Sequence, residues 1–409
     1  MLYSMFELSR IAMAPWRAAA NATRKSLRAP WNPMGETLAG RTTAAAADLF
    51  ESMTRNYRKP DWDLPTTEID GKDVAVTPET VWSSPWCDLV HFKRANAPEG
   101  QPKVLIVAPM SGHYATLLRG TVRTFLPDSE VYITDWIDAS TVPISDGRFD
   151  LNDYVDHVID MIHAAGEGVH VVAVCQPGPP TLAAIALMAE DEDPLRPSSM
   201  TFMGSPIDAR LSPTVPNKLA EEKPFDWFEK NAIHTVPAPY PGAMRRVYPG
   251  FLQLSGFMQM NWERHVDAHV QFYDHLVEED GDGADKHRLF YDEYLSVMDL
   301  SEEFYLQTIK DVFQEHKLPR GEFEHRGRMV DPSKITDIAL MTVEGENDDI
   351  SGIGQTQAAH DLCSNIPESI RIDWVQPKVG HYGVFNGSRF ENEIAPRMKQ
   401  FMKEKGREI

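Results

Sequence analysis

The sequence predicts an α/β fold, a doubly wound and mostly parallel sheet with an inserted, mainly helical cap. Three observations predict it. Apolar strand-like runs alternate with helical patterns from Asp88 to Met203. The alternation stops after Pro206, and it resumes at Ile338. Strand–helix alternation with short loops is the pattern of βαβ units. The chain has 409 residues, 42% hydrophobic and 25% charged, which suits a large globular core with an insertion.

Taken in order, residues 1–60 have helical patterns with a Pro/Trp-rich break near Ala29–Pro33. Residues 61–85 are rich in Pro, Thr and Asp and predict loop and short strands. Strands follow at Asp88–Arg94, Val104–Ala108 and Val131–Thr134. Leu151–Ala165 carries apolar residues at helical spacing, and Gly166 and Gly168 stop it. Val169–Val174 is a run rich in β-branched residues, as in a strand covered on both faces. A helix at Thr181–Glu190 and a strand at Met200–Met203 complete this half. Residues 207–331 hold 17 of the 39 aromatic residues, with helical patterns at Trp262–Glu278 and Ser301–Glu315. These aromatics serve first as the insertion's own core. A strand at Ile338–Val343, a helix around Gln355–Cys363, a strand at Ile370–Val375 and a helix near Phe390–Lys403 end the chain. The expected division is an N-terminal helical segment (1–60), a core (61–206 and 332–409) and a cap (207–331).

The net charge of −21 excludes a phosphate backbone as a natural partner, so no nucleic acid is expected. Three cysteines, Cys87, Cys175 and Cys363, make neither a disulfide framework nor a metal-ligand spacing, and they point to a reducing cytoplasm. No run of about 18 apolar residues is present, so no transmembrane segment is expected. The N-terminus is amphipathic, with five basic residues up to Arg28 against Glu7 alone, and makes a poor secretory signal. A transit peptide and a helix on an apolar interface both fit it. A helix docked on the protein's own body fits best.

The chemistry gathers at three strand ends. Cys175 follows the Val169–Val174 strand in Ala173-Val174-Cys175-Gln176-Pro177-Gly178. A nucleophile on a sharp strand-to-helix turn is the elbow of the α/β-hydrolases, usually Gly-x-Ser-x-Gly. Here a thiol replaces the hydroxyl and the second glycine comes one residue late. A lone cysteine after a strand is more often a small core residue. Its partners raise the case. In this fold the order is nucleophile, acid, base. Asp348 and Asp349 follow the first strand after the cap, and both qualify as the acid. His381, flanked by Gly380 and Gly383, follows the last strand and qualifies as the base. Backbone N–H groups of Gln176 and of Met110 or Ser111 are the expected oxyanion donors.

With these residues placed, the chain resembles the intracellular polyhydroxyalkanoate depolymerases, in particular the cysteine-type poly(3-hydroxybutyrate) depolymerases. The resemblance rests on Ala-Pro-Met-Ser-Gly-His-Tyr (108–114), Val-Cys-Gln-Pro-Gly-Pro-Pro (174–180), Met-Gly-Ser-Pro-Ile-Asp (203–208), Pro-Gly-Phe-Leu-Gln (249–253), Glu-Gly-Glu-Asn-Asp-Asp-Ile (344–350), Gly-Gln-Thr-Gln-Ala-Ala-His (354–360) and Val-Gly-His-Tyr-Gly-Val-Phe-Asn-Gly (379–387). It implies an α/β-hydrolase fold, a Cys175–Asp348–His381 triad with Asp349 as second choice of acid, and ester cleavage in storage polyester. It also implies a cytoplasmic, granule-associated enzyme whose partner is the polyester surface. No cofactor is expected, with coenzyme A as an alternative acyl acceptor to water, and a homo-oligomer is compatible. A polyester synthase-like acyltransferase and a non-catalytic granule-binding protein are the rivals.

Two weaker signals are set aside. His265 and His269 lie one helical turn apart but lack a third ligand, so a solvated helix face is expected and no metal. Asp280–Asp285 departs from a calcium loop at its sixth and twelfth positions.

Overall fold

A computed structural model describes residues 2–407, so Met1, Glu408 and Ile409, the outer ends of the predicted N-terminal segment and core, lie outside it. Nine strands form one sheet: β1 (Thr66–Ile69), β2 (Lys72–Ser83), β3 (Cys87–Arg94), β4 (Lys103–Val107), β5 (Glu130–Trp136), β6 (Val169–Val174), β7 (Ser199–Met203), β8 (Ala339–Gly345) and β9 (Arg371–Gln376). Their spatial order is β1-β2-β3-β5-β4-β6-β7-β8-β9. The first three pair antiparallel, and β5 through β9 run parallel. This is the α/β-hydrolase fold.

The central strand explains the arrangement. Every residue of β6 is buried. Its side chains alternate between two apolar layers, Val169, Val171 and Ala173 on one face and Val172 and Val174 on the other. The first layer is closed by α4 (Leu151–Ala165) and α5 (Gly178–Glu190), the second by α3 (Arg119–Phe125) and α10 (Ala395–Lys405). The α4 helix starts on a reciprocal capping box between Asp150 and Asp153, which fixes its first turn.

Two expectations need correction. The loop and short strands expected at 61–85 include the short β1, but β2 is longer than expected, a strand of 12 residues. Pro78 is tolerated because β1 pairs only with residues 72–75, so the later part of β2 has one unpaired edge. The helix expected around 355–363 is mostly turn, with helix only at Ala359–Leu362. The buried Glu344 carboxylate accepts the backbone N–H groups of Gly354, Thr356 and Gln357 and so holds this turn to the end of β8.

The stretch between β7 and β8 is mainly helical. It includes α6 (Gly250–Met260), α7 (Trp262–Glu278), α8 (Gly281–Tyr294) and α9 (Glu302–Thr308), the last continuing as a wider turn to Gln314. The two N-terminal helices, α1 (Leu2–Leu27) and α2 (Leu38–Thr54), pack on each other, and α2 packs on α7. Tyr3 donates to Asp299 at 2.7 Å and Phe6 stacks on Phe251, so α1 is docked on the body. Its outer face leaves Met5, Leu8, Ile11 and Trp16 exposed.

His265 departs from the expected solvated face. It is buried, with Nδ1 at 2.8 Å from the Tyr291 hydroxyl and its ring against Tyr294.

Candidate active site

The three thiols are not equivalent. Cys87 and Cys363 are wholly buried, and burial pushes the Cys363 thiol up to about 12 and the Cys87 thiol well up as well. Such thiols are inert at neutral pH. Cys175 is only half-buried and lines a cavity.

Cys175 has φ = 68°, a left-handed conformation that a non-glycine residue holds at a cost of about 1–3 kcal/mol. The strain is sustained locally. Its N–H donates to the Met203 carbonyl at the end of β7 (2.8 Å), and its carbonyl accepts from Gly178 N–H (3.1 Å). The late glycine of the elbow has a packing reason: a Cβ on Gly178 would come within 2.4 Å of Ser205 Cβ. The tight turn thus aims the sulfur out of the sheet's carboxyl edge.

His381 and Asp348 are brought to the same edge from β9 and β8. His381 Nδ1 lies 2.8 Å from Asp348 Oδ2, and both side chains are buried. Asp348 Oδ1 accepts the N–H groups of Ile350 and Ser351, at 2.9 and 2.8 Å, which fixes the carboxylate. Burial disfavours the imidazolium of His381. The Asp348 carboxylate, which is hydrogen-bonded to the ring, and the Cys175 sulfur outweigh it and hold His381 well above the usual histidine value. Asp349, the second choice of acid, is turned away: its Oδ2 accepts from Asn261 Nδ2 at 3.1 Å.

Of the expected oxyanion donors, Gln176 and Ser111 N–H have no protein acceptor among the described residues. Met110 N–H is already engaged, donating to the Gln176 side-chain oxygen at 3.2 Å, because Gln176 folds back over the loop after β4. Met110 therefore ties that loop to the elbow, and Ser111 is the free donor.

The sequence reading missed two groups that shape this centre. Gly204, after β7, has φ = 53°, and a Cβ there would come within 3.3 Å of both His381 and Asp348. Gln253 on α6 donates through Nε2 to the Ser111 carbonyl, holding the loop after β4 from the cap side. Both lie in strings the resemblance rests on, but neither carries reactive chemistry, so nothing in residue type marked them.

Cys175 and His381 open on a cavity of about 490 Å³ walled by Tyr248, Phe257, Leu300, Phe304, Tyr305 and Phe313. Three buried polar atoms of residues in its lining have no hydrogen-bond partner among the described residues: Gln176 Nε2, Gln253 Oε1 and Thr308 Oγ1. An unmet buried polar group costs about 1–3 kcal/mol.

Residues 204–406 match the family described as PHB de-polymerase C-terminus. The chain has the α/β-hydrolase fold and is similar to proteins named for polyhydroxyalkanoate metabolism. It is 22% identical over 345 residues to "Poly(3-hydroxyalkanoate) polymerase subunit PhaC" of Haloferax mediterranei, covering 81% of this chain and 65% of that protein. The PhaC subunit of Haloarcula marismortui is 22% identical over 412 aligned positions, covering 96% of this chain and 76% of that protein. The chain thus spans about two thirds to three quarters of those relatives. Similar solved structures include a soluble variant of the monoglyceride lipase of Saccharomyces cerevisiae, with a TM-score of 0.47 and 12% identity over 86% of this chain and 100% of that one. Another is the 2-hydroxy-6-oxo-6-phenylhexa-2,4-dienoate hydrolase of Rhodococcus, with a TM-score of 0.45 and 12% identity over 81% of this chain and 99% of that one.

Proposed function

We propose that this protein is a polyhydroxyalkanoate depolymerase that cleaves the ester bonds of poly(3-hydroxybutyrate) through an acyl-thioester on Cys175. The observation that carries the reading is the strained, half-exposed Cys175 beside a His381 that is itself held by Asp348, all opening on an uncharged apolar cavity.

In the proposed reaction His381 takes the thiol proton and the sulfur attacks the ester carbonyl. The N–H groups of Gln176 and Ser111 hold the oxyanion. The imidazolium returns its proton to the leaving alkoxide, which departs as the hydroxyl end of the shortened chain. Asp348 orients the ring and stabilises its charged form. Water, deprotonated by His381, then resolves the thioester and releases a hydroxy acid. The apolar walls suit a polymer without charge. Association with polyester granules is part of the same reading, and the exposed apolar face of α1 supports it. Among the described residues no helix is long and apolar enough to cross a membrane.

The similarity to PhaC subunits favours a second reading, in which Cys175 passes acyl groups to a growing chain. Amorphous poly(3-hydroxybutyrate) granules and 3-hydroxybutyryl-coenzyme A, supplied separately, distinguish the two. A depolymerase releases soluble hydroxy acid or oligomer from granules, and Cys175→Ala loses this by roughly 10³-fold or more while still sedimenting with them. Polymer formation from the thioester with no release from granules would replace the first reading by the second. Full release by Cys175→Ala would overturn both.

A further inference from the structure

A second cavity, of about 620 Å³, also has His381 in its lining. The two share Phe257, Met260, Ile350, His381 and Tyr382 as a common wall. Their chemistry differs. No lysine or arginine lines the first cavity. The second is lined by Arg264 from α7, Lys378 from the loop after β9, and Arg389. Arg389 is paired with Glu393 at 2.9 Å. Among the described residues, Arg264 and Lys378 form no ion pair. Asp349 is the one carboxylate on this wall, and it is bonded to Asn261. Asn347 and Asn386 add neutral amides.

In a chain of net charge −21, this one cavity is lined by two exposed cations that form no ion pair among the described residues. A neutral polyester gains nothing from them. The cavity that holds them nevertheless ends on the imidazole which, in the reaction proposed above, must serve both halves of the cycle. The polymer fills the apolar cavity during acylation, so the second cavity is the open approach to His381 for whatever resolves the thioester.

We infer that this second cavity is an anion site, in which Arg264 and Lys378 hold the charged group of the species that resolves or leaves the Cys175 thioester. The inference rests on the proposed function. Two sources share that chemistry. In hydrolysis, water oxygen bonds to the acyl carbon as the C–S bond breaks. One water proton returns through His381 to the Cys175 sulfur, and the released acid ionises to a carboxylate. With a phosphorylated thiol as acceptor, its sulfur forms the new C–S bond and its proton passes through His381 to Cys175. The anion is then the acceptor's phosphate. The acceptor's phosphate, or the carboxylate once it has left Cys175, would be held by Arg264 and Lys378, where a cationic cavity also raises the local anion concentration.

The test is calorimetric titration of the full-length Cys175→Ala protein, so that binding is read without turnover. The probes are sodium pyrophosphate, 3-hydroxybutyrate and the neutral methyl 3-hydroxybutyrate. At least one anion is expected to bind more tightly than the neutral ester. Adding Arg264→Gln with Lys378→Gln, or raising the salt, should weaken that binding tenfold or more, whereas adding Lys72→Gln on the distant β1–β2 turn should not. Binding of pyrophosphate alone assigns a phosphorylated acceptor, and binding of 3-hydroxybutyrate alone assigns the released acid. Either supports the site. Failure of both anions to bind, or equal binding by the double-glutamine variant, overturns it. Turnover by Cys175→Ala would instead sink the nucleophile assignment and leave the titration readable.

Discussion

The sheet edge and the cap build the site in different ways. On the sheet side each reactive group stands just beyond its own parallel strand and is pinned by backbone: Cys175 N–H on Met203, and Asp348 under two N–H groups. On the cap side the contacts are broad and apolar. Phe304 packs against Tyr154 and Phe149 as part of the core while also walling the cavity. The sheet therefore fixes reactive atoms to fractions of an ångström, and the cap fixes only the shape and polarity of the space before them. Chemistry should accordingly be lost in single steps on one side and eroded on the other.

The largest effect that sharpens this contrast is at the acid. Asp348→Asn is expected to lower kcat/KM for a soluble butyrate ester by roughly 10²–10⁴-fold, because the ring loses its orienting charge. Asp349→Asn, one residue along, should change it less than about threefold, since the Asp349 carboxylate is bonded to Asn261 and not to His381. The pair is read by steady-state kinetics. Equal losses would mean that the backbone does not distinguish the two carboxylates.

An intermediate effect sits where the two sides meet. His113, in the loop after β4, bonds the Tyr294 carbonyl at 3.0 Å, and burial pulls its pKa down to about 4. An unfolded histidine takes its proton near 6.5, so folding excludes a proton that the unfolded chain accepts. The sign is therefore a loss of stability as pH falls from about 6.5 to about 4, and full stability above that window. The His113 share is about 3 kcal/mol, by the 1.36 kcal/mol each pKa unit carries. Urea midpoints of wild type and His113→Gln across this window measure it as a difference, in which the other histidines cancel. Parallel curves would show that His113 does not couple cap and sheet in this way.

The smallest effect belongs to the cap alone. Phe257→Ala should raise KM for polyester oligomers a few-fold, in keeping with about 1 kcal/mol of lost contact, and leave kcat nearly intact. A kcat loss as large as that of Asp348→Asn would break the contrast, by making a cap wall part of the chemistry.

The same contrast governs what the sequence discloses. The parallel strands announce themselves through β-branched runs, and the three reactive residues are found because each follows one. Val169–Val174 and Leu151–Ala165 end where the sequence places them. What stays hidden depends on distant partners. Glu344, at the end of β8, holds the turn at 354–357, where a helix is expected, through three N–H groups. Met110 loses its free N–H to Gln176 across 66 residues. Pro78 sits within a strand only because its neighbour β1 is short. His265 and His269 share a helix face, but the first is buried against tyrosines from α8. None of these is written in local pattern, since each is settled by packing between elements remote in the chain.

The most direct test of the central claim is to trap the intermediate. Wild-type protein mixed with an activated butyrate ester, quenched in acid and mapped by mass spectrometry, should carry one hydroxylamine-labile butyryl group on Cys175, and none on Cys87 or Cys363. An enzyme that turns the ester over with no adduct on Cys175, or with the acyl group on another residue, would contradict it.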